Sequence, residues 1–331
     1  MQLTYYVQAF STAAITLAHC MNIQIEHIVK RYSNHLALDD VSFEVPDKSV
    51  FGLLGPNGAG KTSLIRIITR ITGPDSGMVY FGNEPSRPEH IYKIGYMPEE
   101  RGLYKKMEVG EQAIYFAQLK GMSRSDAVKE LRYWFDKFEI RPWWKKKVEE
   151  LSKGMAQKVQ FIVTVVHKPE LLILDEPFTG FDPVNTNLIK DELLRLNKEG
   201  TTIMLSTHRM ESVEELCSHI VLINKAKNVL HGSVKEIRKQ YRSGIFEVRY
   251  KGHPVSLVAG LWGPYELLKN LDEGDHHYAQ IKLSDPEQTN ALIQSLINEV
   301  QVLSFNELIP AMNDIFINAV KEKGETVEIE N

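Results

Sequence analysis

The sequence predicts an α/β protein, and three observations carry this. The short apolar runs "SVFGLLG", "ELLILDEP" and "TTIMLSTH" have the length and composition of buried strands. Segments with apolar residues at helical spacing, such as "KTSLIRIITRI" and the stretch from Asn185 to Lys198, alternate with them. A glycine-rich turn, "GPNGAGKT", divides one such strand from one such helix. Buried runs that alternate with helices imply a largely parallel sheet covered on both faces.

The remaining elements fall around that core. "NIQIEHIVKRY" and "ALDDVSFEV" alternate with a period near two and are divided by the turn-like "SNH", so they read as strands. "HIVLINKAKNVLHG" reads as a hairpin. The region from about Glu100 to Gln160 is helical in pattern and rich in charge. It reads as a helical subdomain inserted into the core, and "SRSD" supplies the N-cap of its second helix. Its "PWWKKK" reads as a solvated face with Trp rings packed down rather than as a nucleic-acid patch. Beyond about Arg238, "GIFEVRYKG", "HYAQIKL" and "VQVLSF" read as strands. There "PYELLKNL", "PEQTNALIQSLINEV" and "IPAMNDIFINAVKEK" read as helices, giving a small α+β appendage without a catalytic motif.

The expected organisation is therefore an N-terminal extension over 1–20, a main domain over 21–238 and an appendage over 239–331. The extension has no Lys or Arg before its apolar part, and Gln2, Thr4, Gln8, Ser11, Thr12, Thr16 and His19 interrupt it. It suits neither a signal peptide nor a membrane span. The 331 residues are enough for two domains. A net charge of −4 gives no support to general nucleic-acid binding. Cys20 and Cys217 lack metal-ligand spacing and read as unpaired thiols.

Two motifs carry chemistry. "GPNGAGKT" fits G-x-x-x-x-G-K-T in full and lies where that loop must lie, between strand and helix. Its residues Gly55, Pro56, Asn57, Gly58, Ala59 and Gly60, with Ser63 just beyond, can wrap a triphosphate with backbone N–H groups at a helix N-terminus. Lys61 would reach the β- and γ-phosphates, and the Thr62 hydroxyl would bind Mg²⁺. In "LLILDEPFTG" an apolar strand delivers Asp175 and Glu176 to its C-terminal end, where ligands bind in open α/β sheets. Asp175 would hold Mg²⁺, and Glu176 would act as general base toward water.

With these motifs in order, residues from about Met21 to Ser233 resemble the nucleotide-binding subunit of an ATP-binding-cassette (ABC) transporter. The resemblance implies a P-loop NTPase core of ABC type with an antiparallel β part. It implies that Tyr32 stacks on adenine, that His208 is the switch histidine, and that Asp182 in "GFDP" lies in a loop crossing a dimer interface. "LSKGM" stands where the family carries LSGGQ. Ser152 and Gly154 are retained, while Lys153 and Met155 replace Gly and Gln. The retained pair implies contact with the γ-phosphate bound by the opposite subunit. In "IGYMPEERGLY" the family usually has Gln where this chain has Glu99, a hard oxygen ligand that can also serve Mg²⁺ and the attacking water. The following "ERGLYKKM" is similar to ABC-2-type exporter subunits, and the appendage resembles one attached to Nat-type ATPases.

The function implied is an ATPase that dimerises on ATP and drives a separate ABC-2-type membrane permease in export, from the cytoplasmic face of the membrane. An ABC-type ATPase acting on nucleic acid or ribosomes is the alternative. Such proteins usually carry two cassettes or a long coiled-coil insertion, and neither is present here.

Overall fold

The computed structural model describes residues 22–100, 102–261, 263, 265–285 and 288–322. The expected N-terminal extension and Cys20 lie outside them. The chain divides into two compact units, the first ending at Ser233 and the second starting at Val234.

The first unit runs β1 (Ile23–Tyr32), β2 (His35–Val45), β3 (Val50–Leu54), α1 (Lys61–Ile68), β4 (Ser76–Phe81), β5 (Glu84–Pro85) and β6 (Ile94–Met97). Then come α2 (Val109–Leu119), α3 (Arg124–Lys137), α4 (Lys153–Val165), β7 (Leu171–Asp175), α5 (Pro183–Lys198), β8 (Thr202–Thr207), α6 (Met210–Leu216), β9 (His219–Asn224) and β10 (Lys227–Ser233).

Two sheets form. An antiparallel one has the order β2-β1-β4-β5, and the main one has the order β10-β9-β3-β8-β7-β6. In the main sheet β6, β7, β8, β3 and β9 pair in parallel, and only β10 is antiparallel. The β9–β10 hairpin turns at Lys225 and Ala226, both at positive φ (43° and 70°), as a two-residue hairpin loop requires. The three apolar runs are β3, β7 and β8, and every residue of each is buried.

One core joins the two sheets and α1. Ile23, Ile25 and Ile28 of β1 face Phe51 and Leu53 of β3, with Leu64 and Ile68 of α1 alongside. Phe43 stacks on Phe51 at 5.4 Å. The strands β4, β5 and β6 were not foreseen. β4 buries only Val79 and Phe81, and β5 and β6 span two and four residues, too few to show a period.

The inserted helices α2, α3 and α4 close on aromatic rings. Trp134 and Phe138 meet Phe161 of α4, and Trp144 lies edge-on to Phe135 at 5.0 Å. Ser123 caps α3 by accepting from Asp126 N, as its sequence implied. Trp143 and Trp144 of "PWWKKK" are both half-buried, and the lysines after them are exposed.

The second unit comprises α7 (Val234–Gln240), β11 (Ile245–Lys251), α8 (Pro254–Gly260), β12 (Tyr265–Asp272), β13 (His277–Leu283), α9 (Thr289–Glu299), β14 (Gln301–Glu307) and α10 (Met312–Glu322). From β11 to β14 this is βαββαβ with the antiparallel order β12-β13-β11-β14, a ferredoxin-like arrangement. Phe246, Val248, Tyr250, Ile281, Leu292 and Leu296 form its core. The unit starts five residues before the expected boundary at Arg238, because α7 belongs with it.

"PYELLKNL" is corrected from helix to strand. β12 carries a bulge between Leu267 and Lys269, which breaks the alternation and leaves Leu268 and Leu271 exposed. Apolar residues displaced by a bulge mimic helical spacing.

Gly110 of α2 sits under the Trp144 indole, where a Cβ would come within 2.4 Å of the ring. Gly110→Ala is expected to expel that ring and destabilise the chain by about 1–3 kcal/mol. Denaturant unfolding followed by tryptophan emission would show a lower midpoint and a red-shifted folded spectrum. An unchanged midpoint and spectrum would contradict the packing.

Candidate nucleotide site

The site is built at the C-terminal edge of the main sheet. β3 ends at Leu54, and the chain then turns through Gly55–Gly60 into α1. Gly55 has φ 148°, and a Cβ there would lie 2.1 Å from the Ile223 carbonyl oxygen. Gly60 has φ 110°, with the Ala37 carbonyl oxygen 2.3 Å from the corresponding point. No side chain fits either place, so the loop can close this tightly only as glycine.

A cleft of about 420 Å³ opens over the loop. Of the expected residues, Asn57, Gly58, Ala59, Gly60, Lys61, Thr62 and Ser63 line it, with Tyr32, Glu99, Asp175 and Glu176. Gly60 to Ser63 are the N-cap and first turn of α1, whose leading N–H groups have no intrahelical acceptor. The cleft wall is thus an anion cradle.

Lys61 is buried, and its Nζ donates to the carbonyls of Gly55 (2.7 Å) and Pro56 (3.1 Å). Burial lowers its pKa below the usual 10.5, and the charges of Glu176, Asp175 and Glu99 oppose that shift. One of its three donors remains for a phosphate. Thr62 Oγ1 donates to Asp175 Oδ2 at 3.1 Å. The two oxygens expected to share Mg²⁺ therefore already meet, and hydroxyl plus carboxylate is a hard donor set that fits this ion. Glu99 lies exposed on the loop after β6 and faces the same cleft.

Asp175 and Glu176 are 3% and 8% exposed. The Glu176 carboxylate accepts from Thr207 Oγ1 (3.3 Å) and His208 N (3.0 Å), and its Oε1 lies 2.7 Å from His208 Nδ1. Glu176 itself has φ 48°, a strained left-handed conformation for a residue with a Cβ. Its aim is thus set by the end of β8. With Nδ1–H donating to Glu176, the outer His208 nitrogen is left for a ligand.

Six expected residues are outside the cleft lining: Gly55, Pro56 and His208 bond to residues that line it, while Ser152, Gly154 and Asp182 stand apart. Ser152 accepts from Met155 N as N-cap of α4, which leaves its own O–H free to donate. Gly154 sits in the first turn of that helix, where a Cβ would make ordinary contact with the Gly180 carbonyl oxygen at 3.8 Å. Asp182 caps α5 through Asn185 N, and hydrogen bonds to its carboxylate hold its pKa below the usual range. The stem of Lys153 lies over Gly180, so the "LSKGM" and "TGFDP" stretches adjoin. "LSKGM" is therefore a helix start, and the polar groups of that start remain available.

Sequence reasoning missed His35, Ala37 and Thr207. His35 and Ala37 line the cleft, and Thr207 holds Glu176. His35 pairs with Tyr32 across the first hairpin, a neighbourhood that only strand register reveals. Thr207 stands directly before His208, and that adjacency was its one available signal.

The family profile described as "ABC transporter" matches residues 38–179, and that for "ATP-binding protein DrrA1-3-like, C-terminal domain" matches 232–320. The chain is 48% identical to the ABC transporter ATP-binding protein YhaQ of Bacillus subtilis, over 66% of this chain and 74% of that one. It is 38% identical to an ABC transporter ATP-binding protein of Alkalihalophilus pseudofirmus, over 81% of this chain and 98% of that one. It is 32% identical to Nod factor export ATP-binding protein I of Burkholderia thailandensis, over 82% and 89%. A solved ATP-binding subunit of an ABC transporter superposes with TM-score 0.62 at 27% identity, covering 66% of this chain and 92% of that one.

Replacing Lys61 by Ala removes a charge-assisted donor from the cradle. ATP affinity is expected to fall by about 10- to 150-fold, the equivalent of roughly 1.5–3 kcal/mol. Calorimetric titration of the folded variant checks this, and wild-type affinity would remove Lys61 from the site.

Proposed function

The chain belongs to the ATP-binding proteins of ABC transporters, and from that membership we propose that it hydrolyses ATP as a dimer to drive export through a separate membrane subunit of ABC-2 type. The observation that carries the catalytic part is Glu176: a buried carboxylate held by Thr207 and His208 at the edge of a cleft already furnished for a triphosphate. A carboxylate so placed can take the proton of an attacking water. Lys61 and the first turn of α1 bind the β- and γ-phosphates. Tyr32, partly exposed at the cleft mouth, offers a face for adenine, and Lys30 Nζ lies 5.4 Å from its ring centroid. Thr62, Asp175 and Glu99 would hold Mg²⁺, which when bound would neutralise phosphate charge.

Ser152 and Gly154 lie outside their own chain's cleft lining. Under two-fold symmetry they complete the site of the opposite subunit, and Asp182 lies near the crossing. Association with the membrane then rests on the permease. Among the described residues no helix is long and apolar enough to cross a bilayer. Export follows the relative named for Nod factor export, and the C-terminal unit accompanies the cassette as a part without catalytic groups.

Glu176→Gln keeps the shape and removes the base. Hydrolysis is expected to fall by about 10²- to 10⁴-fold while ATP binding persists. Size-exclusion chromatography with ATP and Mg²⁺ would show an accumulated dimer, and hydrolysis at the wild-type rate would refute the assignment.

Mixing two inactive variants tests the shared site. Gly154→Asp sets a carboxylate against the opposite γ-phosphate, and its Cβ would meet nothing nearer than the Gly180 carbonyl oxygen at 3.8 Å, an ordinary contact. Lys61→Ala damages the other half. In a mixed dimer one site collects both lesions and the other has none. Partial recovery of ATPase activity, or of ATP-driven dimers, is expected. Mixed dimers verified by differential tags that recover neither would exclude a site shared between chains.

A further inference from the structure

The helices α3, α4 and α5 meet around one buried carboxylate. Glu192 of α5 is 3% exposed. Its Oε1 accepts from Arg195 Nε on the same helix at 2.7 Å, and its Oε2 pairs with Nζ of Lys137 in the last turn of α3. Each carboxylate oxygen thus has its own cation. Lys137 Nζ and Arg195 Cζ also lie 5.6 Å and 5.8 Å from the ring centroid of Trp134, a buried residue of α3. Trp134 and Phe138 in turn pack on Phe161 of α4, with ring centroids 6.1 Å and 5.8 Å apart. So α3 is tied to α4 by rings and to α5 by charge.

A buried ion pair is a costly way to join two helices. Well-packed apolar residues of similar volume often hold as firmly, because they avoid the desolvation of both charges. What two hydrogen-bonded cations on one carboxylate add is direction, since each oxygen is approached along a set line. The pair therefore fixes where α3 stands relative to α5.

That placement bears on the far ends of the helices. α4 starts at its N-cap Ser152, and α5 at its N-cap Asp182. Phe161 and Glu192 lie between two and three turns beyond those caps, about 13–15 Å along the axes. This is too far to touch a nucleotide at the helix starts. The starts themselves adjoin: the stem of Lys153 lies over Gly180, and Gln157 donates to the Pro177 carbonyl at 3.0 Å. α4 and α5 are thus joined at their heads by short contacts and further along through α3.

We propose that Lys137 and Glu192 are positioning residues for the half-site that this chain offers to its dimer partner, setting the first turn of α4 at a fixed distance from Asp182. This rests on the shared-site reading above and names the residues that hold the offered half in shape. The chain's own half, built on Lys61 and the glycine loop, stands on other elements and does not depend on the clamp.

Lys137→Met removes the cation from α3 and leaves Arg195 on Glu192. Calorimetric ADP affinity reads the chain's own half and should stay unchanged. The ATP concentration needed for dimerisation should rise by about 2- to 30-fold, the scale of a broken coupling contact. Lys137→Arg should restore it. Glu192→Gln, which keeps the shape and removes the charge, should repeat the Lys137→Met pattern.

Mixed dimers then separate the two halves. Lys137→Met mixed with Lys61→Ala leaves one intact site, and ATP-driven dimers should recover as they do when Lys61→Ala meets Gly154→Asp. Mixed with Gly154→Asp it leaves a damaged offered half at both sites and should recover nothing beyond Lys137→Met alone. Wild-type dimerisation by a folded Lys137→Met chain overturns the proposal. Altered ADP affinity, failure of Lys137→Arg to restore dimerisation, recovery with Gly154→Asp, or no recovery with Lys61→Ala does so too. Loss of the fold in both Lys137→Met and Glu192→Gln would make the clamp structural and overturn it as well. The control is the mixture of Lys61→Ala with Gly154→Asp: if that recovers nothing, the shared-site reading itself has failed.

Discussion

Three charges are held out of water at one edge of the parallel sheet: the Lys61 ammonium and the Asp175 and Glu176 carboxylates. Burying any one alone would be costly, and an opposite charge nearby offsets the cost. The chain brings them together from distant segments. β3 and β7 are not neighbours, because β8 runs between them. Their registers nevertheless agree: Leu54 pairs with Thr207, and Asp175 with Ser206. The glycine loop, the acidic pair and His208 therefore leave the sheet at one level. A slip of one residue would turn each of these side chains to the opposite face.

From that edge, α4 reaches outward in three directions. Its first turn carries Ser152 and Gly154. Gln157 donates to the Pro177 carbonyl, directly after Glu176, and Gln160 to the Pro98 carbonyl, directly before Glu99. One rigid helix thus touches the loops on both sides of the nucleotide cleft. The subdomain is fastened to the core elsewhere by charge. Lys137 of α3 and Arg195 of α5 both pair with the buried Glu192, and each lies within 6 Å of the Trp134 ring centroid. Glu192 and Asp182 share α5, so this clamp and the loop expected at the dimer crossing are parts of one helix.

The second unit contains none of these residues. Its βαββαβ order closes a core of its own from Phe246 to Val300. On its sheet Tyr278 donates to Glu247 and accepts from Gln280. No motif in it predicts chemistry. Cys217, in the first unit, is an unpaired buried thiol, as its spacing implied, and burial pushes its pKa up to about 12.

The glycine loop, the acidic pair, the buried strands and the cap at Ser123 could be read directly, because each depends on neighbours within a few residues. Glycine is needed where φ is positive, an apolar run marks a strand with no wet face, and a capping oxygen serves an N–H two or three places on. The β12 bulge escaped that reading, since alternation broken by one extra residue looks helical. Proximity across the chain escaped it as well. Thr207 and His208 hold Glu176 from 31 and 32 residues away, and Thr62 meets Asp175 across 113. Period and propensity act over a turn or a strand, whereas register and packing act between elements, and only packing brings those side chains together.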